Sequence, residues 1–357
     1  MRFSHCRLLL ILVLGCAMLC VGTANAARLP ADYFGAHGNA QPSVLARLAA
    51  NGVGVERRDA SWALAEPVAP VRGRHHYVWR SLDRIVRTLA LHGMRFYALL
   101  DYTPRWDESV AGDRASPPAD PAAYAAYVAA FASRYGERGS FWRANPRLRY
   151  LPVEDYEIWN EPNTRTFWDS TGPPSAYFAL YEAARLALER VQPAATAVMG
   201  GLSDTRSRSA LAWLEQLEAE VPGALRDVAA VAIHPYLYNA ALIEGLVKAL
   251  RQLLTSAGAS TTPIEVTEFG GAASAISQAS WARIVTTVVR NLATSNCGVT
   301  RIILYRDQDP YTGRGVVDKY GDYVMYDRSG VATRIAAAYF KGIAEAEAAT
   351  TVNALCG

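Results

Sequence analysis

Two textures alternate along residues 27–357. Short apolar runs rich in β-branched and aromatic side chains take turns with longer amphipathic or Ala/Leu-rich stretches. The short runs predict strands at 33–37, 54–59, 95–101, 155–160, 197–201, 228–234, 264–269 and 301–306. The longer stretches predict helices over 42–51, 81–93, 121–136, 174–191, 209–221, 241–258, 277–295 and 332–346. Eight strand–helix repeats in one continuous segment match the count and size of an α/β (β/α)8 TIM barrel, folded as a single domain from 27 to 357. A doubly wound open sheet produces the same alternation. The turn after the first strand, Gly35-Ala36-His37-Gly38, lacks the Gly-x-Gly-x-x-Gly spacing of a dinucleotide site, which disfavours that alternative. The Pro-rich pieces Ser116-Pro117-Pro118 and Gly172-Pro173-Pro174 adjoin helical patterns and read as loops, not linkers.

Residues 1–26 follow a different rule. Arg2 and Arg7 precede an apolar run over 8–21, and Ala24-Asn25-Ala26 supplies small residues at a cleavage position. This is the anatomy of a secretory signal peptide, so export to the periplasm or the exterior is expected. The run is shorter than the ~20 residues a spanning helix needs, so no integral span is expected after cleavage. Cys6, Cys16 and Cys20 lie in this segment, leaving Cys297 and Cys356 in the remainder. In an oxidising compartment these two are expected to pair with each other.

Composition narrows the classes further. The chain has 357 residues, of which 51% are hydrophobic and 19% charged, which excludes a disordered chain or a small disulfide scaffold. Its formal charge of +3 falls to about +1 once Arg2 and Arg7 are removed. No basic excess remains of the kind a nucleic-acid partner requires.

Barrel strands are buried on both faces, so a charge where strand becomes loop needs a reason. The fourth predicted strand ends Ile158-Trp159-Asn160-Glu161-Pro162-Asn163, and the seventh ends Val266-Thr267-Glu268-Phe269-Gly270. Two carboxyl groups facing each other across a barrel mouth are the minimum apparatus for glycoside hydrolysis. One must donate a proton to the leaving oxygen, and the other must be ionised. Glu154, Asp155 and Glu157 lie at the start of the fourth strand or within it. They are expected to be solvated at the barrel base or paired with Arg147 or Arg149. Glu265, three residues before Glu268, is expected on the opposite face of its strand.

Trp159-Asn160-Glu161-Pro162, His234-Pro235-Tyr236 and Thr267-Glu268-Phe269-Gly270 resemble the retaining glycoside hydrolases of clan A. The resemblance is to the family of β-xylosidases, α-L-iduronidase and bacterial exopolysaccharide hydrolases. Arg57-Arg58-Asp59-Ala60-Ser61-Trp62, the block from Leu99 to Trp106, and Gly315-Val316-Val317-Asp318 are similar to the same group. Together these blocks span the second to the eighth strand.

The resemblance implies an exported glycosidase acting on an oligo- or polysaccharide, with a bacterial exopolysaccharide as one candidate and no metal or organic cofactor. It implies Glu161 as general acid/base, Glu268 as nucleophile, and Asn160 as the partner of the sugar 2-hydroxyl. Tyr236 would hydrogen-bond the nucleophile, His234 would line the same pocket, and Arg57 would keep the nucleophile ionised. Arg58 is its neighbour on the other strand face. Where clan A barrels commonly carry a floor tryptophan, this chain has Tyr305, followed by Arg306-Asp307, which are expected to pair with each other. Tyr102, Tyr238 and Tyr311 also lie near predicted strand ends, and Trp62, Trp106 and Trp168 are the candidate sugar-stacking aromatics. Two other readings share the blocks: a carbohydrate-binding barrel without turnover, and a transglycosylase.

Overall fold

The computed structural model describes residues 29–168, 172–205, 209–308 and 316–357. The expected signal segment at 1–26, Gly315 and Tyr311 fall outside the described residues. In chain order the elements are β1 (Phe34–His37), α1 (Pro42–Ala50), β2 (Val55–Ser61), α2 (Trp62–Ala65), α3 (Arg80–Leu91) and β3 (Arg95–Asp101). There follow α4 (Pro121–Tyr135), α5 (Ser140–Ala144), β4 (Asp155–Ile158), α6 (Pro174–Val191), β5 (Thr196–Asp204), α7 (Ala210–Glu220) and α8 (Ala224–Asp227). The chain finishes with β6 (Ala230–Pro235), α9 (Ala240–Ser256), β7 (Ile264–Val266), α10 (Gln278–Ala293), β8 (Val299–Tyr305) and α11 (Arg334–Glu347).

All eight strands are parallel, each pairs with its neighbour in sequence, and β1 closes on β8. The predicted barrel is therefore the observed one. The additions are the short helices α2, α5 and α8, too brief to carry a helical period of their own. Prolines enter α1, α4 and α6 in the first turn, where a missing N–H leaves nothing unsatisfied. Side chains of Asp120, Ser209, Asn239, Ser277 and Thr333 cap α4, α7, α9, α10 and α11.

The apolar residues sort into two cores. Val55, Tyr97, Val198, Ala230, Ala232 and Ile303 form a small cluster on the barrel axis, and the large remainder lies between strands and helices. Gly35 belongs to the inner set by necessity, because a Cβ there would approach Val55 Cγ2 to 2.6 Å and Ile303 Cγ1 to 2.8 Å. In the outer layer, buried tyrosines of the helices reach back to the strands. Tyr124, Tyr127 and Tyr177 donate to the carbonyls of Leu100, Ala60 and Ile158. Tyr339 donates to those of Gly35 and Ile302.

Three strand ends depart from expectation, and each departure shapes the barrel mouth. β4 stops at Ile158 because Trp159 and Glu161 adopt positive φ of 69° and 40°. β5 runs on to Asp204 through a shift in register between Met199 and Leu202. β7 stops at Val266, so side-chain alternation no longer governs Glu268. Glu265 and Glu268, expected on opposite faces, both point into the barrel. Tyr97 donates to Glu265 at 2.6 Å, and Glu268 meets the inward-facing Arg57.

The carboxylates of the fourth strand also differ from expectation. Asp155 is buried and pairs with Arg301 at 2.6 Å, Glu157 is fully buried against Arg57, and Glu154 pairs with Arg95. Asp155 and Glu157 face inward, where a closed barrel has no solvent face, so these two take the buried Arg301 and Arg57 in place of Arg147 or Arg149, while Glu154 stays half exposed at the barrel base as expected. Burial and Asp155 outweigh Arg301 and push Glu265 up to about 8.

Cys297 and Cys356 are disulfide-bonded, as expected, tying the C-terminal tail to the turn before β8 across 59 residues. A cross-link of that span removes roughly 4 kcal/mol of chain entropy from the unfolded state. The Cys297→Ala/Cys356→Ala variant is expected to lose about 2–4 kcal/mol of stability, read from its guanidinium midpoint. An unchanged midpoint would show that the cross-link does not constrain the unfolded chain.

Candidate active site

At the C-terminal ends of the strands, the inner surface turns from apolar to ionisable within one residue pair. On β2 the inward positions run Val55, Arg57, Asp59; on β6 they run Ala230, Ala232, His234. Above this level opens a cleft of about 850 Å³, whose lining includes Asn160, Glu161, Tyr236, Glu268 and Tyr305.

Arg57 organises the layer. It is wholly buried, and its Nε and Nη2 donate to the two oxygens of Glu157 at 2.6 and 2.9 Å. Nη2 also donates to Asn160 Oδ1 at 2.9 Å, and Nη1 donates to Glu268 Oε1 at 2.5 Å. His37 Nδ1, from the end of β1, lies 3.1 Å from that same Glu268 oxygen. The other oxygen accepts from the Tyr236 hydroxyl at 2.5 Å. Burial alone would raise Glu268, but His234, His37 and Arg57 outweigh it and hold the carboxyl well below the usual range.

Glu161 stands in a different environment. The left-handed conformations of Trp159 and Glu161 turn the chain sharply, and the Glu161 carboxyl reaches His234 Nδ1 at 3.0 Å. The same nitrogen is 3.9 Å from Glu268 Oε2. The two carboxyl oxygens are therefore no further apart than those distances laid end to end. His234 is itself fully buried, with Nε2 at 3.1 Å from Thr267 Oγ1, which in turn donates to Glu157 at 3.3 Å. Room for this chain comes from Gly201 in the β5 irregularity. Its φ is +62°, and a Cβ there would come within 2.3 Å of Glu157 and 2.9 Å of His234.

The cleft thus gathers Glu161, Glu268, Asn160, Arg57, His234, Tyr236 and Tyr305 at one end of the barrel. Tyr305 packs edge-on to His37 and donates to Asp318 at 3.0 Å, and the peptide bond after it is cis. Arg306 pairs with Asp318 at 3.5 Å, not with Asp307 as expected. Asp307 is fully buried, accepting from the backbone N–H of Ala40. Arg58, outward on β2, pairs with buried Glu56 at 2.6 Å.

The three tryptophans expected to stack on sugar stay out of the cleft. Trp62 is fully buried between Trp106 and Tyr127, its indole N–H on Glu66. Trp106 donates to the Glu66 carbonyl, and Trp168 packs between Trp159 and Tyr177. Among the described residues, the aromatics that line the cleft include Tyr102, Phe167, Tyr236, Tyr305 and Tyr320. Sequence reading missed His37 and Glu157. His37 ends a strand with a polar side chain, the same signal that marked His234. Glu157 shares inward parity with Asp155, which only the closed barrel makes decisive.

The site thus sets one carboxylate, held in the ionised state, and a second carboxyl on either side of one imidazole, an arrangement with the parts that acid/base or nucleophilic chemistry can use. No protein-family model matches the sequence, and no curated protein matches it. Solved structures do. A monomeric β-xylosidase from Caulobacter crescentus CB15 is 18% identical with a TM-score of 0.64, covering 88% of this chain and 69% of its own. A family 39 glycoside hydrolase from Bacteroides cellulosilyticus WH2 is 16% identical at a TM-score of 0.65, over 89% of this chain and 64% of that one. A GH5_18 protein from Bifidobacterium longum subsp. infantis is 14% identical at a TM-score of 0.64, over 91% and 80%. At these identities the likeness speaks for the barrel fold.

Removing the Tyr236 hydroxyl tests the electrostatics without reference to any reaction. Carbon-13 NMR of the Glu268 carboxyl in Tyr236→Phe is expected to show a pKa raised by about 1–2 units, the worth of one hydrogen bond to a charged group. An unmoved titration would mean that the hydroxyl does not stabilise the anion.

Proposed function

We propose that the protein is a glycoside hydrolase of the clan A type, cleaving O-glycosidic bonds of an oligo- or polysaccharide with retention of anomeric configuration. The observation that carries the reading is the placement of Glu161 and Glu268 on one imidazole nitrogen of His234, with Arg57 on Glu268. Glycosidases that retain configuration hold their two carboxyl groups ~5–5.5 Å apart, and inverting ones space them at ~6.5–9.5 Å. A shared nitrogen keeps this pair away from the wide end of that second range.

In the first step a Glu268 oxygen attacks the anomeric carbon as the bond to the leaving oxygen breaks. Glu161 gives its proton to that oxygen, and a glycosyl ester of Glu268 forms. Thr267 donates to Glu157 and therefore accepts from His234 Nε2–H, which fixes the ring with Nδ1 toward the Glu161 carboxyl at 3.0 Å. In the second step Glu161 takes a proton from water, whose oxygen attacks the same carbon and frees Glu268. Asn160, oriented by Arg57, would bond the sugar 2-hydroxyl as it polarises in the transition state.

The structurally similar proteins include a β-xylosidase and a family 39 glycoside hydrolase, which supports a carbohydrate substrate here. Residues 1–26 support export, and with it an extracellular glycan such as a bacterial exopolysaccharide.

Glu268→Ala is expected to lose activity by about 10⁴-fold or more on aryl glycosides, with azide restoring turnover and yielding the glycosyl azide of inverted configuration. Glu161→Ala is expected to keep turnover of activated aryl glycosides while losing poorly activated ones. Rescue of neither variant, with loss only of sugar affinity, would instead indicate a carbohydrate-binding barrel.

A further inference from the structure

Asp101 ends β3, inward-facing like Tyr97 on the same strand, and lines the cleft beside Asp59. It is 2% exposed, yet neither carboxyl oxygen has a hydrogen-bond partner among the described residues. The charged groups facing it are Asp59, Arg57, Arg114 and Glu157. Neither cation bonds to it. Arg57 spends its donors on Glu157, Asn160 and Glu268, and Arg114 lies 4.5 Å over the ring of Tyr102. The next residue, Tyr102, holds a φ of 61°, so the chain turns away immediately beyond the carboxyl. An unmet buried carboxyl destabilises a fold, and the missing partners are most simply supplied by what enters the cleft.

We propose that Asp101 binds substrate, its carboxyl taking adjacent hydroxyl groups of the sugar ring held over Glu268. The proposal rests on the glycosidase reading and adds a requirement to it: this ring must present a free, hydroxyl-bearing edge toward β3. Burial and Asp59 push Asp101 well above the usual carboxylate range. The protonated form that this shift favours offers one O–H donor and one carbonyl acceptor, which suits two neighbouring hydroxyls, each donor and acceptor at once. An amide has the same pattern, so Asn is the conservative replacement.

The test uses 2,4-dinitrophenyl β-glycosides of xylose, glucose, galactose and mannose, with the monodeoxy forms of whichever turns over. Asp101→Ala is expected to lose about 10²-fold in kcat/KM on the parent sugar, and Asp101→Asn to stay within about tenfold of wild type. On the deoxy form that lacks the contacted hydroxyl, wild type and Asp101→Ala are expected to converge. The melting temperature of Asp101→Ala is expected to hold or rise, because an unpartnered carboxyl has left the interior. Unchanged kcat/KM in Asp101→Ala, an equal loss on every deoxy sugar, or a collapse in melting temperature would each overturn the proposal. Turnover of no glycoside, with no adduct on Glu268 from 2-deoxy-2-fluoro glycosides, would overturn the glycosidase reading beneath it.

Discussion

Everything at the barrel mouth depends on one buried guanidinium. Arg57 has no exposure to solvent, so each of its N–H groups must find an acceptor inside the protein. It finds them at two strands on the far side of the barrel: Glu157 in β4, Asn160 just past β4, and Glu268 past β7. The planar fork sets the spacing among these three, because a guanidinium offers its donors in fixed directions. Deleting one partner of a buried charge pair typically costs about 3–5 kcal/mol, since the other charge is left unmatched. The same bonds that tie β2 to β4 and β7 therefore also position Asn160 and Glu268, the groups proposed to meet the sugar. Lysine in place of Arg57 could not make these contacts at once.

Around that anchor, two carboxyl groups are kept unlike. Glu268 receives a guanidinium, a phenol and an imidazole edge, and Glu161, among the described residues, faces His234. The difference comes from backbone as much as from side chains. Glu268 follows a strand that ends early, and Glu161 sits on a turn whose two positive-φ residues swing it back over the barrel. Strained conformations of non-glycine residues persist only where the surroundings enforce them, and here the fully packed Trp159 does so. Electrostatic preorganisation of this kind carries much of the work in hydrolysis of stable bonds.

The alternation of apolar runs was enough to read all eight strands and the eight long helices, because in a parallel barrel every strand is buried on both faces and every helix on one. Glu161 and Glu268 were legible as charges at strand ends. Glu157 was not, since its role depends on facing Arg57 across a closed barrel, and residues 100 apart in sequence carry no mark of that. Glu265 was misplaced because period-2 alternation was carried past the true end of β7. The tryptophans failed for a related reason. Trp62 lies near a strand end, but it begins the short helix α2, which rotates the ring into the layer between strands and helices. Tyr305, by contrast, remains in line with its strand and faces the cleft.

The central claim is that two dissimilar carboxyl groups on one imidazole run a double displacement. Proton NMR of the anomeric signal during hydrolysis of an aryl β-glycoside tests it most directly. The account predicts that the first sugar released is the β-anomer, followed by slow mutarotation to the equilibrium mixture. Initial release of the α-anomer would contradict it, because a single displacement by water inverts the carbon and leaves no role for Glu268 as a nucleophile.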